Sequence, residues 1–233
     1  MISVIIPTLN EEKCIEECLL SLRAQRYEEK YEIILVDGQS GDRTAAIAKK
    51  YVDKLIMKSP KGPAVARNAG AREAKYPIVA FIDADCLAEH NWLEEIERSF
   101  KENIVGLGGV VRPSSGTRFD RLMFKINSDW WVRLSARFGV YQLYGNNCAY
   151  RRENFLKIGG FNEKISFFED TELSMRMKKV GRLRINKRMV VSTSIRRFRQ
   201  MGYIKVGIIN MKAFLNFLLG RPIKTKYFEE IKH

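Results

Sequence analysis

The first hundred residues alternate between short apolar runs and longer segments whose apolar residues recur every third or fourth position. Ile2–Ile6, Ile33–Val36, Lys54–Met57 and Ile78–Ile82 are the runs, a pattern expected of strands buried on both faces. Between them, Glu11 to about Arg26 puts Ile15, Leu19 and Leu22 on one helical face. Ser40 or Asp42 caps a helix carrying Ala45, Ala46, Ile47 and Ala48, and Pro63–Ala74 forms another. Asn91-Trp92-Leu93 opens a helix to about Lys101. Strands alternating with helices predict an α/β fold, a mostly parallel sheet with helices on both faces.

The second half is less regular. Ile104–Val111 reads as a strand, Phe119–Phe138 as a long amphipathic helix, and Gln142–Tyr150 as extended chain. Glu169–Val180 is a helix with Leu173, Met177 and Val180 inward. Arg182–Ile185 and Met189–Val191 read as two short strands, and Phe198–Leu219 as a final amphipathic helix. Repeats, low-complexity stretches and linkers are absent from the sequence, which predicts one continuous domain.

Charge changes this picture at the C-terminal end. The 233 residues carry a formal charge of +14. Residues 1–170 hold 25 basic and 24 acidic side chains, whereas residues 171–233 hold 16 and 3. A one-sided basic segment beside an apolar helix suits an anionic membrane surface. It suits nucleic acid less, because no nucleic-acid-binding motif accompanies it. The helix also suits packing on the core or on a second copy as a homodimer. The start, Met1-Ile2-Ser3-Val4-Ile5-Ile6-Pro7, reads as a strand and not as a signal peptide, and no apolar run is long enough to span a membrane. Cys14, Cys18, Cys86 and Cys148 lack zinc or disulfide-framework spacing. A cytoplasmic location, peripheral on the inner face of the cell membrane, is the expectation.

Candidate chemistry collects at the ends of the buried strands, where parallel sheets bind ligands. Thr8-Leu9-Asn10-Glu11 follows the first run, Asp37-Gly38-Gln39-Ser40-Gly41-Asp42 the second, and Asp83-Ala84-Asp85 the run at Ile78–Ile82. Adjacent hard oxygen ligands suit Mg²⁺ or Mn²⁺ held together with a phosphate. Asp37 suits the imide edge of a pyrimidine or a ribose hydroxyl, with an Asx-turn or a helix cap as the alternative. Arg67, in a small-residue helix, suits a pyrophosphate. Glu169-Asp170, behind Phe167-Phe168, is a second acidic pair, and a carboxylate among aromatics is suited to general-base work.

The ordered set Ile5-Ile6-Pro7-Thr8-Leu9-Asn10-Glu11, Val36–Asp42, Ala66-Arg67-Asn68-Ala69-Gly70, Asp83-Ala84-Asp85, Gly159-Gly160-Phe161 and Glu169-Asp170 resembles family 2 of the inverting glycosyltransferases, with the GT-A fold. The resemblance covers roughly residues 1–190 and implies a catalytic domain at 1–191. Its nucleotide-binding half would be 1–103 and its acceptor half 104–191, with a basic amphipathic extension at 192–233. It implies a UDP- or GDP-sugar donor, a divalent metal, and a saccharide or lipid-linked acceptor. Pro7, Thr8, Leu9 and Glu11 would line the nucleoside pocket, Asp37 read the base, Arg67 seat the nucleotide and Asp83 lie near the ribose. Asp85 would hold the metal, and Asp170 would be the base with Glu169 beside it. Asn146 and Asn147 would sit between donor and acceptor.

One departure concerns histidine. Some relatives place one near the C-terminal end, but here only His90 and His233 occur, neither in a matching place. Arg196 and Arg197 would supply positive charge to the leaving diphosphate instead. Two rival readings are weaker. A haloacid-dehalogenase-type phosphatase puts its paired aspartates after the first strand, whereas here three strands precede the one that leads into them. A polyprenol-phosphate sugar transferase needs no base, so an intact Glu169-Asp170 pair favours a hydroxyl acceptor.

Overall fold

The computed structural model describes residues 1–58, 62–101, 103–126, 131–137, 139–165, 167–219 and 221. The N-terminal half is built from β1 (Ile2–Thr8), α1 (Ile15–Arg23), β2 (Tyr31–Asp37), α2 (Thr44–Ala48), β3 (Lys54–Met57), α3 (Pro63–Glu73), β4 (Ile78–Ile82), β5 (Cys86–Ala88) and α4 (Trp92–Ser99). The remainder comprises β6 (Ile104–Pro113), α5 (Arg118–Phe124), α6 (Trp131–Arg137), β7 (Asn147–Arg151), α7 (Arg152–Lys157), α8 (Glu169–Met177), β8 (Arg182–Thr193), α9 (Arg196–Met201) and α10 (Tyr203–Leu218). The strands form one sheet in the order β3-β2-β1-β4-β7-β6-β8-β5. β3, β2, β1 and β4 are mutually parallel, as are β6 and β8. β7 runs antiparallel between β4 and β6, and β5 antiparallel to β8 at the edge.

Strand alternation divides the core in two. Ile2, Val4 and Ile6 point to the face covered by α1 and α4, where Ile15, Leu19, Leu22 and Trp92 are fully buried. Ile5, Ile34 and Val36 point to the other face, against α3, α7 and α8. There α3 lies almost directly on β1. A Cβ placed on Gly70 would come within 2.5 Å of Ile5 Cγ2, so only glycine fits at that contact. The small residues of α3 therefore set how deep the helix sits, and Arg67 and Asn68 go down with it, each 3% exposed.

Several expectations change. The two short strands at 182–191 are one continuous strand, β8, which runs to Thr193, past the boundary expected at 191. β5 and α7 carry too few residues for periodicity to reveal. The long helix expected at Phe119–Phe138 is described as two pieces, α5 and α6, and residues 127–130 and 138 lie outside the described residues. The final helix breaks at Gly202, whose φ of +81° ends α9 and lets α10 leave in a new direction. α9 and α10 pack against the rest of the chain. Asp120, at the start of α5, accepts bonds from Arg199 and from the Tyr203 hydroxyl, and Val206 and Ala213 pack on Phe167. No helix among the described residues is long and apolar enough to cross a membrane.

Asn147 opens β7 in the middle of the sheet and is fully buried. Its carboxamide accepts from the Trp92 indole N–H at 2.9 Å and donates to the Val110 and Met189 carbonyls at 2.9 and 3.1 Å. Asn147→Ala strands those three groups, and each orphaned buried group costs about 1–3 kcal/mol. We predict a clear loss of stability in denaturant unfolding. A change below about 0.5 kcal/mol, the range of ordinary surface substitutions, would contradict that role.

Candidate active site

The ends of β1, β2 and β4 gather at one edge of the sheet, as parallel strands require. The antiparallel β7 begins at that same edge, because its direction is reversed. A cleft of about 1150 Å³ opens there. Its floor includes Pro7 and Thr8 at the end of β1 and Leu9 just past it, Gly38 after β2, and Asp83-Ala84-Asp85 after β4. Gly62, Pro63 and Arg67 of α3 form one wall, and Gly145 and Asn146, leading into β7, another. The start of α8 supplies Glu169 and Asp170.

Arg67 ties these walls together. It donates to Asp83 Oδ1 at 2.7 Å and to Glu169 Oε1 at 3.1 Å. Its guanidinium lies 5.3 Å from the centre of the Phe161 ring, and a Cβ on Gly145 would press into it at 2.9 Å. The two carboxylates more than offset burial and hold Arg67 firmly charged.

The acidic pair is presented by a strained turn. Phe168, just before α8, has a left-handed φ of 67°. This conformation is rare for a bulky residue and is often found beside functional groups. The loop before it is pinned from two sides. Asn68 bonds both the N–H and the carbonyl of Phe161, and Arg176 donates to the Ile158 and Gly160 carbonyls. Gly160 adopts φ of 68°, and a Cβ there would strike the Asn68 carboxamide.

The two carboxylates then meet different partners. Asp170 accepts from the Gly145 N–H at 3.1 Å and the Thr171 N–H at 2.6 Å. Burial is the largest influence on Asp170 and raises its pKa, against the pull of those N–H bonds. Burial, then the charge of Asp170, push Glu169 up to about 7, while Arg67 pulls it back. The pair therefore titrates as a unit above the ordinary carboxylate range.

Other expected site residues fall as follows. Asp85 is half-buried and borders both the main cleft and a smaller polar pocket with Glu11, Asp42 and Arg196. Glu11 lines both spaces, and Asn146 and Arg196 line the cleft. The Thr8 hydroxyl is buried beneath the cleft with no hydrogen-bond partner among the described residues. Asp37 lies at the end of β2 with its carboxylate engaged by a neighbouring turn. It is fully buried, and both its oxygens accept from Ser40, at 2.7 Å from the backbone N–H and 2.8 Å from the hydroxyl. Gln39, at a φ of 66°, turns the chain back to make that contact, so the Asx-turn alternative describes Asp37 in this structure. Asn147 is likewise committed to the core and does not line the cleft. The Arg197 side chain lies outside the described residues. Residues beyond the expected set also border the cleft: Tyr144, Phe124, Phe198 and, from α10, Ile204, Ile208 and Met211. The aromatic and apolar spacing of those segments is visible in sequence, but their direction is not.

The model of the family described as "Glycosyl transferase family 2" matches residues 3–168. The chain belongs to glycosyl transferase family 2. Among curated family members it is similar to glycosyltransferase AglE of Haloferax volcanii, 36% identical over 131 residues, covering 52% of this chain and 43% of that protein. It is also 29% identical over 203 residues to the probable glycosyltransferase YdaM of Bacillus subtilis, covering 77% and 47%. The chain thus spans about half the length of these relatives. Two solved structures share the GT-A fold. One is the mannosyltransferase PcManGT of Pyrobaculum calidifontis in complex with GDP-Man and Mn²⁺, with TM-score 0.68, 22% identity and coverage of 91% and 63%. The other is Staphylococcus aureus TarS 1–349 in complex with UDP-GlcNAc, with TM-score 0.69, 21% identity and coverage of 99% and 76%.

Removing Arg67 takes away a positive charge that lowers both carboxylates of the pair. In Arg67→Met the Glu169 titration therefore moves to higher pH, and the pair stays protonated over a wider range. Carboxyl NMR titration of Glu169 reads this directly; an unchanged midpoint would contradict the bridge.

Proposed function

We propose that the chain transfers a sugar from a UDP- or GDP-linked donor to an acceptor hydroxyl, with inversion at the anomeric carbon. The observation that carries this reading is the Glu169-Asp170 pair, raised in pKa and set on the wall of the cleft that Asp83 and Asp85 floor. Family membership supports the reaction class, and the nucleotide-sugars bound by PcManGT and TarS support the donor class.

The roles follow from the partners. Asp170 receives the acceptor's proton as the hydroxyl oxygen attacks the anomeric carbon from the side opposite the diphosphate. The Gly145 and Thr171 N–H groups fix its orientation and leave it able to accept. Glu169 holds Arg67 and adds negative charge that strengthens the base. Arg67, Arg196 and the start of α3, with Pro63 at its first position, offer positive charge and free N–H groups to the phosphates. Pro7, Thr8, Leu9 and Glu11, which line the cleft, suit the nucleoside.

No cluster of three metal-binding side chains occurs among the described residues. The two carboxylates present, Asp83 and Asp85, fit Mn²⁺ or Mg²⁺ in the manner these ions take with substrate phosphates, one or two carboxylates completed by diphosphate and water. Asp85 would hold the ion, with Asp83 beside it. When bound, the metal neutralises charge on the departing diphosphate. The basic C-terminal residues suit attachment to the anionic inner surface of a membrane, where salt would weaken binding.

Asp170→Asn is expected to lower transfer by about 10²–10⁴-fold, the usual contribution of a general base, with donor affinity retained. Near-wild-type turnover would reject the base. Asp85→Ala is expected to abolish the gain in nucleotide-sugar affinity that Mn²⁺ confers, measured by calorimetry with and without the ion. An undiminished Mn²⁺ effect would reject that ligand.

A further inference from the structure

α10 carries two apolar faces. One packs inward, with Val206 and Ala213 buried beside Phe167. The other is open: Ile204, Ile208, Met211, Leu215 and Leu218 recur at helical spacing and are 43–77% exposed. A helix on a protein surface ordinarily turns polar residues outward, so a continuous open stripe calls for an occupant.

The stripe begins inside the active cleft. Ile204, Ile208 and Met211 line it together with Phe124, Ile126 and Phe198. Leu215 and Leu218 carry the stripe on beyond it. At 1.5 Å per residue, Ile204 to Leu218 spans about 21 Å. Positive charge lies along the way, with Lys164 and Arg196 lining the same cleft. Polar catalytic groups at one end, cations between and a hydrocarbon track leading out match a molecule with a sugar, a phosphate and a long apolar chain in that order.

We infer that the α10 track binds the hydrocarbon chain of a lipid-linked acceptor. The acceptor's phosphate lies near Lys164, and its sugar hydroxyl reaches Asp170. The use of that hydroxyl rests on the glycosyl-transfer reading above. The chain-binding site rests on the track itself.

The test uses farnesyl phosphate and inorganic phosphate as probes of the full chain by calorimetry, with thermal shift by a nucleotide-sugar measured in parallel. Farnesyl phosphate is expected to bind at least about tenfold tighter than inorganic phosphate. The double substitution Ile208→Ser and Met211→Ser, at exposed positions that do not build the core, is expected to remove that advantage while the nucleotide-sugar shift persists. Equal affinity for the two probes would overturn the inference. So would undiminished farnesyl phosphate binding by the double variant, or a dimer in sedimentation that the double variant dissociates. Loss of the nucleotide-sugar shift in the unsubstituted chain, with farnesyl phosphate still bound, would reject the transfer reading and leave the chain site standing.

Discussion

The Arg67 guanidinium, held between Asp83 and Glu169, is the interaction on which the site depends. Asp83 belongs to the exit of β4 and Glu169 to the start of α8, 86 residues later in the chain. Without a cation between them, two carboxylates and the neighbouring Asp170 would repel across a poorly hydrated cleft. The bridge turns that repulsion into a fixed geometry. It also sets the protonation of the acidic pair, because burial pushes both carboxylates up and Arg67 is the charge that restrains them. A buried cation of this kind makes sense where its negative partners are needed for chemistry, since a pair of apolar side chains would stabilise the fold as well or better.

The fold delivers Arg67 by removing side chains around it. Ala64, Ala69, Gly70 and Ala71 let α3 settle onto β1, and the same descent brings Arg67 to the level of the strand ends. Asn68, its neighbour, grips the loop that leads to Glu169. One short helix thereby fixes both sides of the cleft. The C-terminal helices close the far side through the Asp120 contacts and the packing of α10 on Phe167, which gives the cleft a polar end and an apolar end.

The strands β1, β2, β3 and β4, and the carboxylates at their exits, are legible in the sequence because continuous apolar runs ending in polar residues have one stable place in an α/β sheet. Arg67 and Glu169-Asp170 are legible as separate motifs. Their direct contact is not, because it joins segments that no local pattern relates. Asp37 and Asn147 show the limit from the other side. A side-chain carboxylate or amide near a strand end looks the same in sequence whether it faces a ligand or satisfies buried groups. For Asn147 the Trp92 indole and two strand carbonyls take up the carboxamide, and for Asp37 the Ser40 turn engages the carboxylate; both are contacts that no local pattern announces. The break at Gly202 is equally silent, since the apolar spacing continues across it and only the positive φ separates α9 from α10.

The bridge is tested most directly by a double-mutant cycle of Asp83→Asn and Glu169→Gln, followed by denaturant unfolding near neutral pH. If Arg67 joins the two carboxylates, the losses are strongly non-additive, with a coupling above about 0.5 kcal/mol, because each remaining carboxylate becomes the sole charged partner of a buried cation. Additive effects within about 0.3–0.5 kcal/mol, as for unconnected sites, would contradict the account.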